Sequence, residues 1–519
     1  MNTKKINKIG LALLAFLVIF SSCKKQLEIA PRQSIDAATA LSSRDAINAS
    51  ITSIYASLKN VRQYGKDMVA LPEALSDNGF ATNKSGRLIN EANNVQGAHF
   101  TTTIWNNSYA AINQINNTIA AINTSTITPA LTQTEIDGWL GQLYFLRGLY
   151  YFDLVRVYGY VPGAVVASQD RGGVPLSLSG IATSADALAW KPSRAPIADV
   201  YTQIVKDLVA AEARLTVNTG TATYTASKNA AQALLSRVQL YNKDYTETKK
   251  WADAVITSSS ARLTTTSNYV AQWRAESNTE MLFQVRFTTA AENIGVNESL
   301  QTSFTTLVTP GNQASTGGFG DLVPTITLLN DLGITLTGGN TTTVFANPAT
   351  VATRSTDVRN LLYEPGTAGR GNIKVECTKY IGKNGVINLD NVPVIRISEA
   401  ILNRAEAQAT AGSPVLNLAA ALADLKAIKA RRYTDYTGSA QETADNAMTQ
   451  PQLLEEILRQ RRIEFAFEGH RFFDLKRLGR DLIKAPHYNN VAFTDTRMLP
   501  NLPQGDIDGN PNLKQNAGY

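Results

Sequence analysis

The chain is 519 residues long with a mass of 56.2 kDa, and its 44% of hydrophobic and 18% of charged residues are typical of a folded globular protein. The net charge is only +6, and three positive charges, on Lys4, Lys5 and Lys8, stand at the N-terminus, so no basic stripe predicts a nucleic-acid partner. Two cysteines exclude a disulfide framework, and three histidines without metal-ligand spacing give no reason to expect a metal or another cofactor.

The N-terminal segment is typical of a secretory signal. A basic start is followed by an apolar run over 9–20, which is shorter than the roughly 20 residues that a membrane span needs. Two serines then precede Cys23, and small residues before a cysteine are typical of a bacterial lipoprotein signal. We therefore predict a signal peptide over 1–22, a lipidated Cys23 and a flexible tether over 23–35. The alternative is a plain secretory signal followed by an incidental cysteine.

The rest of the chain, 36–519, is predicted to form a single, mostly helical body. Leucines spaced through 143–157, with aromatic residues on the other faces, predict a buried helix that ends at Gly159. The segments 229–256 and 394–432 each predict two antiparallel helices joined by a short turn. Small residues alternate with large ones in these pairs, as they do in tetratricopeptide arrays.

Strand-like sequence is scarce in this body. The alternation over 280–287 predicts one short strand. Stretches rich in Thr, Ser, Asn and Gly predict long loops at 216–224, 259–268, 301–320 and 333–356. Most of them fall in a loop-rich region of about 257–390, and loops on a rigid scaffold are the natural place for a binding surface. The predicted fold class is therefore mostly α, a tetratricopeptide-like helix-hairpin scaffold with long loop-rich insertions and few short strands.

Several segments carry motifs that occur together, in this order, in one protein family. The start CKKQLEIAP reads as a lipidated cysteine with a tether, and Trp105 and Tyr109 form a W-x-x-x-Y helix motif. The other segments are 144–162, 197–211, 392–409, 459–479 and 499–519, the last of which closes with N-P-x-L-x-Q-N-x-G-Y. Together they resemble the SusD/RagB family of outer-membrane nutrient-binding lipoproteins.

The resemblance implies a non-catalytic lipoprotein, held at the outer membrane by its lipid anchor and facing the cell exterior. Members of this family cap a SusC-like TonB-dependent transporter and deliver a captured nutrient to it. The nutrient is an oligosaccharide for many members, and some lineages are associated with peptides. Two hypotheses outside the family's role stay open. One is a secreted lipoprotein glycosidase, because paired catalytic carboxylates need no local motif; the other is a structural helical-repeat adaptor.

The most charged segment lies near the C-terminus. Its arginines Arg459, Arg461 and Arg462 alternate with glutamates, which favours structural ion pairs over an anion-binding site. Glu464 and Glu468, one helical turn apart, are the carboxylate pair that a glycosidase could use. Their arginine-rich surroundings favour the same structural interpretation.

Candidate ligand contacts come from two parts of the chain. Sugar recognition combines flat aromatic faces with planar amide, carboxylate or guanidinium groups. In the family that the chain resembles, the site draws on the segment ahead of the W-x-x-x-Y helix and on later loops. The candidates are Asp77, Asn78, Arg87 and His99 from the first part and Trp273, Phe304 and Phe319 from the later loops. Core packing is the alternative for each aromatic residue. The loops show no dense aromatic arc, so a peptide or a glycan other than starch stays open.

Overall fold

The computed structural model describes residues 40–100, 102–220 and 223–519. The predicted signal peptide, the lipidated Cys23 and the tether lie outside the described residues. Within the described ranges, no helix combines the length and the apolar character needed to cross a membrane.

Helices dominate the described residues, and the strands are short. The helices are α1 Arg44–Ser57, α2 Asp67–Leu75, α3 Ile89–Ala92, α4 Thr102–Asn123, α5 Gln133–Tyr158, α6 Ser184–Ala189, α7 Ile197–Arg214, α8 Lys228–Tyr241, α9 Tyr245–Ser258, α10 Tyr269–Arg274, α11 Leu300–Phe304, α12 Ile326–Asp331, α13 Thr342–Ala346, α14 Ile397–Ala409, α15 Leu418–Lys429, α16 Ala440–Asn446, α17 Gln450–Glu464, α18 Arg471–Arg477 and α19 Gln504–Gly509. The strands are β1 Gly79–Ala81, β2 Met281–Val285, β3 Leu322–Pro324, β4 Ile334–Leu336, β5 Val351–Arg354, β6 Tyr363–Pro365, β7 Val375–Cys377 and β8 Val392–Arg396. The predicted fold class is confirmed.

The long helices pack against one another in an order close to their order in the chain. Helix α4 packs on α5, α5 on α7, α7 on α8, α8 on α9, and α9 on α14, which also contacts α15 and α17. The predicted hairpin over 229–256 is confirmed as α8 and α9, whose turn places Lys243 in the left-handed region with φ 59°. This arrangement is the tetratricopeptide-like scaffold that the sequence predicts.

The C-terminal half of helix α5 is deeply buried. The helix begins at a capping box in which Thr132 and Glu135 bond reciprocally, and it ends at Gly159 as predicted. Every residue from Leu143 to Val157 except one tyrosine is buried. Gly148 lets α7 approach closely, because a Cβ at that position would lie 2.9 Å from the side chain of Leu208.

The loop-rich region contains more regular structure than the sequence predicts. The predicted strand is confirmed as β2, but its partner β8 occupies the start of 394–432, where helix was predicted. The predicted loop 301–320 begins within α11, and 333–356 contains β4, α13 and β5, with β4 and β5 paired antiparallel. These predictions were wrong because elements of three to five residues have too few positions to show a period.

A buried ion cluster joins the helices to the loop-rich region. Glu464, at the end of α17, accepts bonds from Arg432 at 2.8 Å, Arg396 at 2.9 Å and Arg359 at 3.3 Å. Arg396 and Arg432 also hold Glu280, just before β2, at 2.9 and 2.8 Å. Burial alone would raise the pKa of Glu464, but the arginines outweigh it and hold that pKa well below its usual value. We call these five side chains the ion cluster.

Most of the remaining charges of this C-terminal segment also form ion pairs. Glu468 contacts Lys379 at 2.6 Å and Arg396 at 2.8 Å. The three arginines named above pair as Arg459 with Glu456 at 2.7 Å, Arg461 with Asp474 at 2.9 Å and Arg462 with Asp331 at 2.9 Å. The structural interpretation of this segment is therefore confirmed.

Candidate functional site

Strands β1 and β3 bring two distant segments of the chain together. They pair antiparallel, and beyond the pair the Thr82 amide donates to the Asp321 carbonyl at 2.9 Å. The Thr82 hydroxyl donates to the Gly320 carbonyl at 2.7 Å. The loop after β1 therefore lies against the loop before β3. Arg87 belongs to the first loop and Phe319 to the second.

Gly320 fixes the course of the second loop. Its φ of 60° is in the left-handed region, and a Cβ there would lie 2.7 Å from Oε1 of Glu376 in β7. Only glycine meets both conditions without strain. Glu376 is itself held in place, since its carboxylate accepts from the Thr306 amide at 2.6 Å and from Lys84 at 2.9 Å.

Two guanidinium groups lie against the ring of Phe319. The centre of the Arg87 guanidinium is 5.1 Å from the ring centroid, and that of Arg370 is 4.2 Å from it. The Phe319 side chain is half-buried, and Arg370 is exposed. Neither arginine pairs with a carboxylate of the described residues. We call Arg87, Phe319 and Arg370 the arginine–phenylalanine cluster.

A buried carboxylate supports one side of this cluster. Nη1 of Arg87 donates to Oγ of Ser85 at 3.0 Å, and Ser85 donates to Oδ1 of Asp321 at 2.5 Å. Asp321 is 1% exposed, and its second carboxylate oxygen has no hydrogen-bond partner among the described residues. Burial raises the pKa of Asp321. The cluster therefore offers an aromatic face, two cationic forks and one nearby acceptor.

Asp77 and Asn78 lie near β1, but protein groups engage their side chains. Arg471 donates to the two oxygens of Asp77 at 2.7 and 2.8 Å. Burial would raise the pKa of Asp77, yet Arg462 and Arg471 outweigh it and lower that pKa to about 2. The Asn78 amide donates to Glu73 at 2.8 Å and accepts from Arg462 at 2.8 Å. Ligand contact by these two residues stays a prediction, and the contacts they make are internal.

His99 and Phe304 pack inside the protein, and Trp273 is half-buried against its core. The His99 ring lies 5.3 Å from Phe472, and its burial lowers its pKa to about 3. Phe304 is fully buried, 4.9 Å from Phe467. Trp273 and Phe304 belong to α10 and α11 and not to loops, which corrects the placement predicted for them. Ligand contact by these three residues stays a prediction.

Two members of this surface, Arg370 and Asp321, carry no signal in the sequence. Arg370 follows Phe319 by 51 positions, and no local motif connects the two residues. Asp321 stands between Gly320 and a short apolar strand, where nothing in the sequence marks it as buried. Among the residues that the structure describes, no group of three or more His, Cys, Asp or Glu side chains is placed to hold a metal ion.

Two family models match the chain in separate parts. One, described as the SusD family, matches residues 370–519. The other, described as starch-binding and associating with the outer membrane, matches residues 27–240. Both are models of SusD-type proteins, and together they take in more than half of the chain.

The chain belongs to the SusD/RagB family. A SusD-like protein of Formosa agariphila is 25% identical to it over 99% of this chain and 100% of its own length. The family resemblance that the sequence motifs carry is thus confirmed over the whole length.

Solved structures of other SusD-type proteins share the fold. A SusD superfamily protein from Bacteroides thetaiotaomicron superposes with a TM-score of 0.74 at 25% identity, covering 91% of this chain and 99% of that one. A SusD-like carbohydrate binding protein from Bacteroides vulgatus superposes with a TM-score of 0.70 at 17% identity, covering 90% and 97%.

Proposed function

We propose that this SusD/RagB protein is a non-catalytic lipoprotein that captures a nutrient oligosaccharide at the arginine–phenylalanine cluster. It delivers the ligand to a SusC-like TonB-dependent transporter. A lipid on Cys23 anchors it to the outer membrane, with the body facing the cell exterior. The observation that carries the proposal is the meeting of Arg87 and Arg370 on the ring of Phe319, in a surface built from three separate loops.

The chemistry of this cluster suits a sugar ring. An aromatic face packs against the C–H side of a pyranose, and a guanidinium donates several hydrogen bonds in a fixed fork. Such a fork binds two neighbouring hydroxyl groups or one carboxylate. Because neither arginine pairs with a described carboxylate, ligand binding breaks no ion pair within the part of the chain that the structure describes.

Binding without hydrolysis is supported by the state of the acidic residues. A glycosidase needs two carboxyl groups about 5–9.5 Å apart across the sugar. Glu464 and Glu468, the pair that the sequence offers, are buried and bonded to Arg396, Arg432 and Lys379. Their lone pairs are occupied by structural partners.

The relatives support a sugar as the ligand and the outer membrane as the location. The family model that matches 27–240 is described as starch-binding and outer-membrane associated, and one structural relative is called a carbohydrate binding protein. The sequence supports anchoring through the lipoprotein signal that ends at Cys23.

Calorimetry of the mature body with neutral oligosaccharides, acidic oligosaccharides and short peptides tests the proposed ligand class. We expect heat from an oligosaccharide, and Phe319→Ala or Arg370→Ala should weaken that binding roughly tenfold. Arg171→Ala is the matched control, because Arg171 donates only to the carbonyls of Ser168 and Asp170. Heat from peptides alone, or new reducing ends after incubation with glycans, would overturn the proposal.

The proposed partner is tested separately. Affinity-tagged protein, expressed in its own host and recovered from detergent-solubilised outer membranes, should bring down a TonB-dependent barrel. Recovery of the lipoprotein alone, at protein levels that saturate the resin, would contradict the delivery step while leaving ligand capture intact.

A further inference from the structure

A cavity lies between α4, the segment that follows α6, and the C-terminal α19. Its volume is about 390 Å³, within the range of about 300–1,000 Å³ typical of small-molecule sites. It is lined by the side chains of Trp105, Tyr109 and Trp190 on one side and by Asp506 and Asn510 on the other. It shares no lining residue with the arginine–phenylalanine cluster.

The aromatic walls of the cavity form a bent platform. The ring of Trp105 is 4.8 Å from that of Tyr109 at an interplanar angle of 54°, and Tyr109 is 6.2 Å from Trp190 at 57°. Trp105 is 4% exposed and is supported from behind by Tyr158 at 5.1 Å, whereas Trp190 is 37% exposed at the rim. The Tyr109 hydroxyl donates to the Pro175 carbonyl at 2.8 Å, which fixes the ring with one face toward the cavity.

Two polar groups of the cavity are free to receive a ligand. The Asp506 carboxylate and the Asn106 side-chain amide form no hydrogen bond or ion pair with any described residue. The Asn510 side chain is engaged within the protein, since its amide nitrogen donates to the Pro192 carbonyl at 2.8 Å and its oxygen accepts from the Asn512 amide at 3.0 Å. The cavity therefore combines three aromatic rings with two unpaired planar polar groups, those of Asp506 and Asn106.

We propose that this cavity is a second saccharide site, which takes one uncharged pyranose unit of an oligosaccharide. The C–H face of the sugar packs on Tyr109 and Trp190, and neighbouring hydroxyls donate to Asp506 and exchange hydrogen bonds with Asn106. A carboxylate at this position repels acidic sugars, since no cationic side chain of the described residues pairs with Asp506. The second site thus differs in charge from the arginine–phenylalanine cluster, whose guanidinium groups favour the binding of acidic sugars.

Fluorine NMR of protein labelled with 5-fluorotryptophan reports on this cavity directly. The chain has five tryptophans, so Trp190→Phe identifies the Trp190 resonance by its loss. The probes are maltohexaose, cellohexaose and laminarihexaose, each titrated to millimolar concentration. We expect one of them to shift the Trp190 resonance, while the resonance of Trp139, which lies outside the cavity, does not move.

Variants separate this site from the first one. Asp506→Asn should weaken the sugar-dependent shift roughly tenfold. Phe319→Ala should leave the shift unchanged. The cavity can therefore bind sugar even if the arginine–phenylalanine cluster does not. Leu188→Ala is the matched control, because Leu188 is 76% exposed on α6 and does not line the cavity.

Three results would overturn the inference. One is the absence of any Trp190 shift with all three sugars. Another is a shift that disappears in Phe319→Ala, which would mean a single site. The third is a shift produced by choline and not by sugars, which would make the rings and Asp506 a site for organic cations.

Discussion

Glu464 shows how much of this protein's stability depends on single buried charges. Its carboxylate is fully buried and bonded to three arginines that come from separate segments of the chain. Replacing a buried ion pair by apolar groups can be neutral, but removing one partner leaves the others buried and uncompensated. The alternation of Arg and Glu in the sequence was sufficient to predict pairing here, although it did not show which partners would meet.

Glu464→Gln should therefore unfold more easily, by about 3–5 kcal/mol in the free energy of unfolding. Three buried guanidiniums lose the carboxylate that they share, and Glu280, Glu468 and Asp357 balance them only in part. Urea denaturation followed by circular dichroism measures the change. Glu455→Gln is the control, since its side chain is 58% exposed beside Arg480, and it should change stability by about 0.5 kcal/mol or less. Equal midpoints for the two variants would contradict the structural role of the ion cluster.

Asp77 should make the free energy of unfolding depend on pH in the acidic range. Its pKa of about 2 in the folded state lies below its value of about 3.9 in an unfolded chain. The carboxylate therefore contributes stability, about 3 kcal/mol in all, that is fully present above about pH 5 and is lost progressively as the pH falls through 2. The difference in unfolding free energy between wild type and Asp77→Asn should shrink over that interval. A difference that stays constant from pH 5 to pH 2 would show that Arg471 does not pair with the ionised form.

At the scale of the element, α5 owes its close contact with α7 to glycine. A methyl group at Gly148 would meet the Leu208 side chain at 2.9 Å, so the two helices would have to move apart. Alanine is the better helix former by about 1 kcal/mol, so Gly148→Ala improves helix propensity while it disturbs packing. The larger of the two effects decides whether the free energy of unfolding rises or falls.

At Gly148 we expect the packing effect to be larger than the gain in helix propensity. We expect Gly148→Ala to lower the unfolding free energy by about 1–3 kcal/mol, the usual cost of an overfilled contact. Gly138→Ala in the same helix is the control, because a methyl group there would meet no atom within 4 Å, and it should be neutral or slightly stabilising. Thermal unfolding of the two variants compares them, and a Gly148→Ala variant as stable as Gly138→Ala would show that α7 adjusts without cost.

The sequence predicted long elements well and short ones poorly. Helices such as α5, α8 and α9 show their period over 14 residues or more, and their ends are marked by capping residues and glycine. Strand β2 was predicted from its own sequence, but it pairs with β8 across more than 100 residues, so no nearby turn reveals its partner. The candidate site follows the same rule. Arg87 and Phe319 were predicted individually, but Arg370 joins them only through tertiary structure.

At the scale of the whole molecule, the proposed lipid anchor would decide where the protein works. The signal that ends at Cys23 predicts that this thiol carries a diacylglycerol, which together with an N-terminal acyl chain makes membrane attachment stable. Cys23→Ser should abolish attachment without disturbing the body. Mass spectrometry of the mature N-terminus and detergent phase partitioning measure this. A Cys23→Ser protein that still partitions with membranes would contradict the lipoprotein prediction.

Shared buried charges also restrict how such a protein can diversify. Because Glu280 and Arg359 come from the loop-rich region and Glu464 from the helices, a chimera that exchanged the whole region between distant relatives would trap arginines without counter-charges. Evolutionary change in ligand preference is therefore expected in segments that stay clear of the ion cluster, such as the exposed turns at 310–316 and 368–371. Substitutions there can alter which nutrient a bacterium harvests while the inherited framework stays the same.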